Sequence, residues 1–230
     1  MGIKDSDVVY EDNHYIAVNK RAGDLVHADI TGDKTLEDMV KEYLVKKYNK
    51  PNDAFLGVVH RLDRPVSGLI ILAKTSKGLD RMNRLFHDRT VEKTYLAVVR
   101  NRPEKMSGTL KNWLLRDRKK MVTKAYDREV KNGSFAQLDY KVLGEIDGYY
   151  LLQVNPLTGR THQIRCQLAY MNCPIVGDNK YGYPRGSLRR SICLHSRSLS
   201  FLHPIKDEPM ELIADLPRDG FWEKFNRLLK

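Results

Sequence analysis

Long apolar runs are missing from this 230-residue chain. No stretch approaches the roughly 20 residues that a membrane-crossing helix needs, so no membrane partner is expected. The N-terminal MGIKDSDVVYED lacks the apolar segment of a secretion signal. Gly2 and Ser6 fit the short myristoylation pattern, but a strand begins almost at once behind them and the match is read as chance. Cysteine is scarce: Cys166, Cys173 and Cys193 are an odd number with no CxxC pair. That excludes a disulfide framework and predicts reduced thiols in a cytoplasmic setting. Cys193 and His195 have the spacing of two metal ligands, yet no second pair completes a site. A buried cysteine beside a solvent-facing histidine is the better reading, and no metal is expected. Phosphate-binding glycine loops and dinucleotide fingerprints are also absent, which leaves energy-driven and redox chemistry without support.

What is present is positive charge. Lys and Arg number 40 against 29 Asp and Glu, a net +11 that favours a polyanionic partner, most commonly nucleic acid. The length suits one large domain or two small lobes. No repeat, low-complexity tract or linker divides the chain, so 1–230 is treated as a single domain, and without a heptad pattern it is expected to be a monomer. Short apolar runs predict strands at 8–10, 15–18, 56–60, 69–73, 94–99, 135–143, 149–154 and 199–202. Helical periodicity predicts helices at 35–48, 76–87, 161–170 and 220–229, the first capped by Thr35 with Leu36, Met39, Val40, Tyr43 and Leu44 on one face. Strands outnumber helices without alternating with them, which predicts an α+β fold: a mostly antiparallel mixed sheet flanked by helices. Two charge-rich segments, 115–124 and 182–190, are expected to be loops, read equally as solvated turns or, with Trp113, Tyr126, Tyr181 and Tyr183 nearby, as phosphate-and-base contacts.

One carboxylate stands out in 59-VHRLDRPVSGLIILAKT-75. Asp63 lies between Arg61 and Arg64, ahead of a buried-strand pattern, in a loop punctuated by Pro65 and Gly68 and capped by Ser67. Loops anchored by core strands commonly carry catalysis, although from local sequence alone a surface ion pair with Arg61 or Arg64 is the commoner explanation of such an Asp. His60-Arg61 is followed by Leu62 with no upstream glycine loop, so this is not a kinase loop; Pro65 excludes a nucleophile elbow at Ser67. In 155-NPLTGRTHQIRCQLAYMNCPIVGDNKYG-182, Arg165 falls at the margin of an apolar helical stripe. It either points to solvent or makes a buried fork on a carboxylate from elsewhere in the chain.

Taken together, these stretches closely resemble the RluA family of pseudouridine synthases. The resemblance runs from VVYEDNHYIAVNKRAG (8–23) through VHRLDRPVSGLIILAKT (59–75), VEKTYLAVV (91–99) and GRTHQIRCQLAYMNCPIVGDNKYG (159–182) to ICLHSRSLSFLHP (192–204). It implies isomerisation of uridine in RNA, ribosomal or transfer, without a cofactor, at an active site in a central cleft. It also implies residue roles. Asp63 matches the essential aspartate, Tyr95 the tyrosine that stacks on the base, and Arg165 the basic residue paired with the aspartate. Arg61 matches an arginine that fills the gap left by the flipped nucleotide. His60, Arg160, His162, Leu194, Arg189 and Arg190 are expected on the substrate-binding surface.

Many relatives read HRLDxxTSG where this chain has Pro65-Val66, so Val66 supplies no threonine hydroxyl to brace the loop. The family pattern starts near Val8, which predicts no preceding S4 RNA-binding module and RNA held by the catalytic domain alone. Two other readings compete. One is a non-catalytic RNA-binding or chaperone protein on the same fold. The other is a hydrolase using Asp63 with His60 or His162 as base or metal ligand.

Overall fold

The computed structural model describes residues 2–28, 32–51, 53–184 and 191–229. In chain order its first strands and helices are β1 (Val8–Glu11), β2 (Tyr15–Lys20), α1 (Leu36–Tyr48), β3 (Gly57–Val58), β4 (Ser67–Ala73) and α2 (Ser76–His87). There follow β5 (Glu92–Val99), β6 (Ser107–Asp117), β7 (Val122–Tyr126), β8 (Ser134–Ile146), β9 (Tyr149–Pro156), α3 (Gln163–Tyr170), β10 (Leu194–Leu202) and β11 (Pro209–Ile213). The fold is α+β, and the registered strand pairs are antiparallel. The chain divides into two compact units: Met1–Glu92 with Ser196–Asp215, and Lys93–His195 with Leu216–Lys230.

The first unit carries strands in the order β1-β2-β4-β10, with β3 beside β4 and β11 beside β10. Every residue of β4 is buried, so the unbroken apolar run that predicted this strand reflects cover on both faces. On one face Tyr15, Ala17, Leu69, Ile71 and Ala73 pack with Met82 of α2. Gly68 opens β4 at φ +112°, and a Cβ there would collide with the Ser196 backbone. Only glycine permits both the backbone angle and this approach of β4 to β10.

Helix α1 buries Leu36, Met39, Val40 and Leu44, while Tyr43 stays at the edge and gives its hydroxyl to Asp5. The expected Thr35 cap is present as a capping box with Asp38, and Asn49 closes the helix in the left-handed region. Thr35→Ala is expected to cost about 1 kcal/mol in a denaturant melt.

The second unit orders its strands β5-β9-β8-β6-β7. Helix α3 packs on one face, where Cys166 joins Leu114 and Ala136 and Gln167 donates to Asn112 Oδ1 at 2.8 Å. Near the C-terminus Trp222–Leu228 is a 3-10 helix, with Trp222 and Phe225 buried.

Several expectations need correction. Residues 115–124 are not a loop but most of the β6–β7 hairpin, registered from Trp113↔Tyr126 to Asp117↔Val122. Leu114-Leu115 followed by Arg116-Asp117 shows no period-two alternation, and the charge density of the tip hid the strands on either side. The strand at 56–60 shrinks to Gly57–Val58, and the helix from 161 starts only at Gln163, because His162 sits at φ 56°. The helix at 220–229 is 3-10 instead of α. His195 is not solvent-facing but fully buried, its ring tilted against Trp222 at 5.9 Å. Its position in β10 beside an aromatic side chain outweighed the polar preference. Cys166, Cys173 and Cys193 are all buried. Burial pushes the thiol of Cys166 up to about 12 and that of Cys173 to about 11, which keeps both protonated and unreactive.

Candidate active site

The Asp63 loop belongs to the first unit. It leaves β3 at Val58 and enters β4 at Ser67, with Leu62 and Val66 buried on either side of half-buried Asp63. The Asp63 carbonyl accepts the Val66 N–H at 3.0 Å, closing a turn over Arg64 and Pro65. His60 Nε2 accepts the Ile71 N–H at 3.1 Å, and its ring stacks on Phe86 with centroids 4.8 Å apart. The Arg64 carbonyl accepts the Gly23 N–H at 2.7 Å, while the Arg64 Nε–H returns a bond to the Gly23 carbonyl at 3.1 Å. The Arg64 guanidinium also pairs with Asp33.

Beneath this loop lies a residue that sequence reading missed. Lys20, only 1% exposed at the end of β2, donates from Nζ to the carbonyls of Arg21 and Asp24 at 2.9 Å and of Arg64 at 3.3 Å. Burial drives its pKa down to about 8, partly offset by the negative charges of Asp24 and Asp63. Lys20 thus ties the segment after β2 to the Asp63 loop at Arg64. Its only sequence signal was a lysine closing an otherwise apolar strand, YIAVNK.

The second unit holds Tyr95, Arg160, His162, Arg165 and Leu194. Arg165 is buried, and its guanidinium forks onto Asp178: Nε to Oδ2 at 2.7 Å, Nη2 to Oδ1 at 2.9 Å. This bears out the buried-fork reading, with Asp178 as a carboxylate the sequence did not single out. The fork uses two of the five guanidinium donors. Tyr181 lies 5.0 Å beneath the guanidinium carbon in a cation–π contact. The Tyr181 hydroxyl accepts the Thr123 N–H at 2.9 Å and meets His162 Nδ1 at 2.7 Å. Burial raises the Tyr181 pKa.

Gln163 braces the start of α3. Its carbonyl oxygen accepts from the Thr158 hydroxyl at 2.7 Å and the Arg160 N–H at 3.0 Å, and its amide donates to the Gln137 carbonyl. Arg160 is exposed, with Nε donating to the Phe135 carbonyl. Tyr95 pairs with Val154, which pairs with Tyr140, which pairs with Gly108. This register sends Tyr95 to the sheet face that α3 covers, so Tyr95 and Arg165 share one side of the second unit. Leu194 is buried at the start of β10. In the first unit Arg61 is exposed. Arg189 and Arg190 lie outside the described residues.

His60 accepts a backbone N–H and His162 is bonded to Tyr181. Among the described residues no cluster of three metal-ligating side chains occurs, and no helix is long and apolar enough to cross a membrane.

The sequence profile described as RNA pseudouridylate synthase matches residues 14–170. The chain is 32% identical over 215 residues to a ribosomal large subunit pseudouridine synthase D of Borreliella burgdorferi, covering 92% of this chain and 65% of that protein. It is 28% identical to a tRNA pseudouridine synthase C of Vibrio cholerae, over 94% of this chain and 93% of the relative. Among solved structures, human RNA pseudouridylate synthase domain containing 4 superposes with a TM-score of 0.78 at 24% identity, covering 96% of this chain and 92% of that one. The last likeness concerns the fold.

Proposed function

Because this chain belongs to the RluA family of RNA pseudouridine synthases, we propose that it isomerises uridine to pseudouridine within structured ribosomal or transfer RNA. The observation that carries this reading is Asp63 itself, a carboxylate on a loop whose backbone is tied down by the buried Lys20 ammonium and by His60. A protein that only bound RNA would gain nothing from fixing an acid among phosphate-seeking cations.

In this reading Asp63 acts at C1′. The C1′–N1 bond breaks, positive charge builds at the sugar carbon, and the carboxylate answers that charge. The base turns, C1′ joins C5, the C5 proton leaves and N1 takes one up, so atoms balance without a cofactor. Arg165, already forked onto Asp178, is the basic residue that the family resemblance assigns to Asp63 as its partner. Tyr95 stacks on the extruded uracil and offsets part of the unstacking cost. Leu194 contributes apolar surface to the base pocket. Arg61 fills the gap in the RNA, Arg160, Arg189 and Arg190 meet phosphate, and His60 and His162 hold the binding surface in shape. The protein works as a cytoplasmic monomer.

The test is a pseudouridine map of total RNA from cells lacking the protein, restored with wild type or with Asp63→Asn. Sites that vanish and return only with wild type are the expected result and identify the substrate. A map unchanged at every site, with purified protein inactive on ribosomal and transfer RNA transcripts, would overturn the reading in favour of a non-catalytic RNA-binding protein.

A further inference from the structure

The second unit has a sheet face that the isomerisation chemistry does not use. Trp113 stands opposite Tyr126 on β7 and opposite Phe135 on β8. Directly opposed residues project from the same face, so Tyr126, Trp113 and Phe135 form a row of rings across three adjacent strands. Trp113 and Phe135 meet edge to face with centroids 5.9 Å apart, and Phe135 is 40% exposed. The neighbouring positions Leu114, Ala125 and Ala136 turn the other way and pack with Cys166 of α3. The row therefore faces away from α3, and with it away from Arg165 and Tyr95.

Charge surrounds the rings on this same face. Lys124 lies opposite Leu115 and Lys111 opposite Gln137, next to Trp113 along their strands, and both lysines are exposed. Two acids share the face and each has a local partner: Asp139 accepts from the Thr109 hydroxyl, and Asp117 from the Lys120 N–H. The 3-10 helix of this unit packs farther along β8, where Leu228 lies against Gly144.

We propose that this face is a second RNA contact, a platform on which unstacked bases of single-stranded RNA flanking the modified uridine lie on Phe135, Trp113 and Tyr126 while Lys111 and Lys124 meet the phosphates. The inference rests on RNA being the substrate and adds to it a binding surface on the face of the second unit's sheet opposite Tyr95 and Arg165. Cross-strand aromatic pairs do brace sheets. Bracing, however, is served by buried rings and asks nothing of lysines beside them. A partly exposed aromatic row, Phe135 open and Trp113 and Tyr126 half-buried, edged by ammonium groups matches the two faces of single-stranded RNA, flat bases and a charged backbone. The net charge of +11 supplies the long-range attraction.

Binding of a fluorescein-labelled oligocytidylate to the full chain tests this directly, because that probe contains no uridine to isomerise. The chain has two tryptophans, and Trp222 is buried, so quenching of tryptophan fluorescence reports Trp113. The expected result is quenching in the wild type and its loss in Trp113→Phe. Phe135→Ala is a surface change that spares folding; it should weaken oligocytidylate binding at least ~5-fold. For the natural transcript the same variant should raise KM and leave kcat unchanged. Lys111→Gln with Lys124→Gln should lower the salt slope by about 1.4, the value for two phosphate contacts on a single strand.

Saturable binding by anisotropy without quenching, or wild-type affinity in Phe135→Ala, would overturn the proposal. So would a Phe135→Ala effect confined to self-association in sedimentation, which would make the face a protein contact. None of these outcomes touches pseudouridine formation, whose loss would be seen separately in the wild type.

Discussion

Purified Asp63→Ala protein is expected to lose pseudouridine formation by roughly 10³-fold or more, as removal of a group acting directly on the reacting centre does. It should still fold and still bind RNA. The separation follows from how the loop is built. Its shape depends on main-chain bonds at Gly23, Val66 and Arg64, on the Lys20 ammonium and on His60 against Ile71 and Phe86, and all of these survive truncation of one side chain. Affinity for RNA comes from cations, and Asp63 is an anion. A thermal melt within about 2 kcal/mol of wild type, unchanged RNA affinity and absent product is the expected combination. Loss of folding together with activity would assign Asp63 to the fold instead.

The second large effect is expected at Asp178. Removing it leaves a buried guanidinium without the carboxylate that takes two of its donors, and breaking one side of such a pair typically costs about 3–5 kcal/mol. Asp178→Ala should therefore lower the denaturant midpoint sharply. Asp178→Asn keeps an acceptor oxygen and should recover part of the stability. Function supplies a second readout. If Asp178 positions Arg165 for catalysis, Asp178→Asn lowers kcat while KM for RNA stays near wild type. A variant with wild-type kcat would make the pair purely structural.

How much of this was legible beforehand follows from the physics of each element. β4 and β9 carry apolar runs that match their burial, and α1 announces itself through Thr35, Asp38 and an apolar face, so these were read correctly. The β6–β7 hairpin escaped because RDRKK at its tip dominates the composition while the paired strands flank it without a clear apolar alternation. His195 was misplaced because polarity alone cannot reveal that a strand runs through a core.

The candidate site divides the same way. Asp63, Tyr95 and Arg165 were found through motif resemblance, which carries information that spacing lacks. Their supports were invisible. Lys20 reaches Arg64 across 44 positions, and Asp178 reaches Arg165 across 13, and nothing in the local sequence marks such partners. Gln163 and Tyr181 stand inside recognised motifs, yet their roles as braces emerge only from their bonds to Thr158, Thr123 and His162.

The central claim is that this chain isomerises uridine in RNA. Joining C1′ to C5 must expel the hydrogen on C5, so tritium release from transcripts labelled with [5-³H]uridine measures the reaction itself. Wild-type protein is expected to release tritium from a ribosomal or transfer RNA transcript to a plateau of whole sites per molecule, and Asp63→Ala to release none. Wild-type protein that binds such transcripts and releases no tritium from either class would contradict the account.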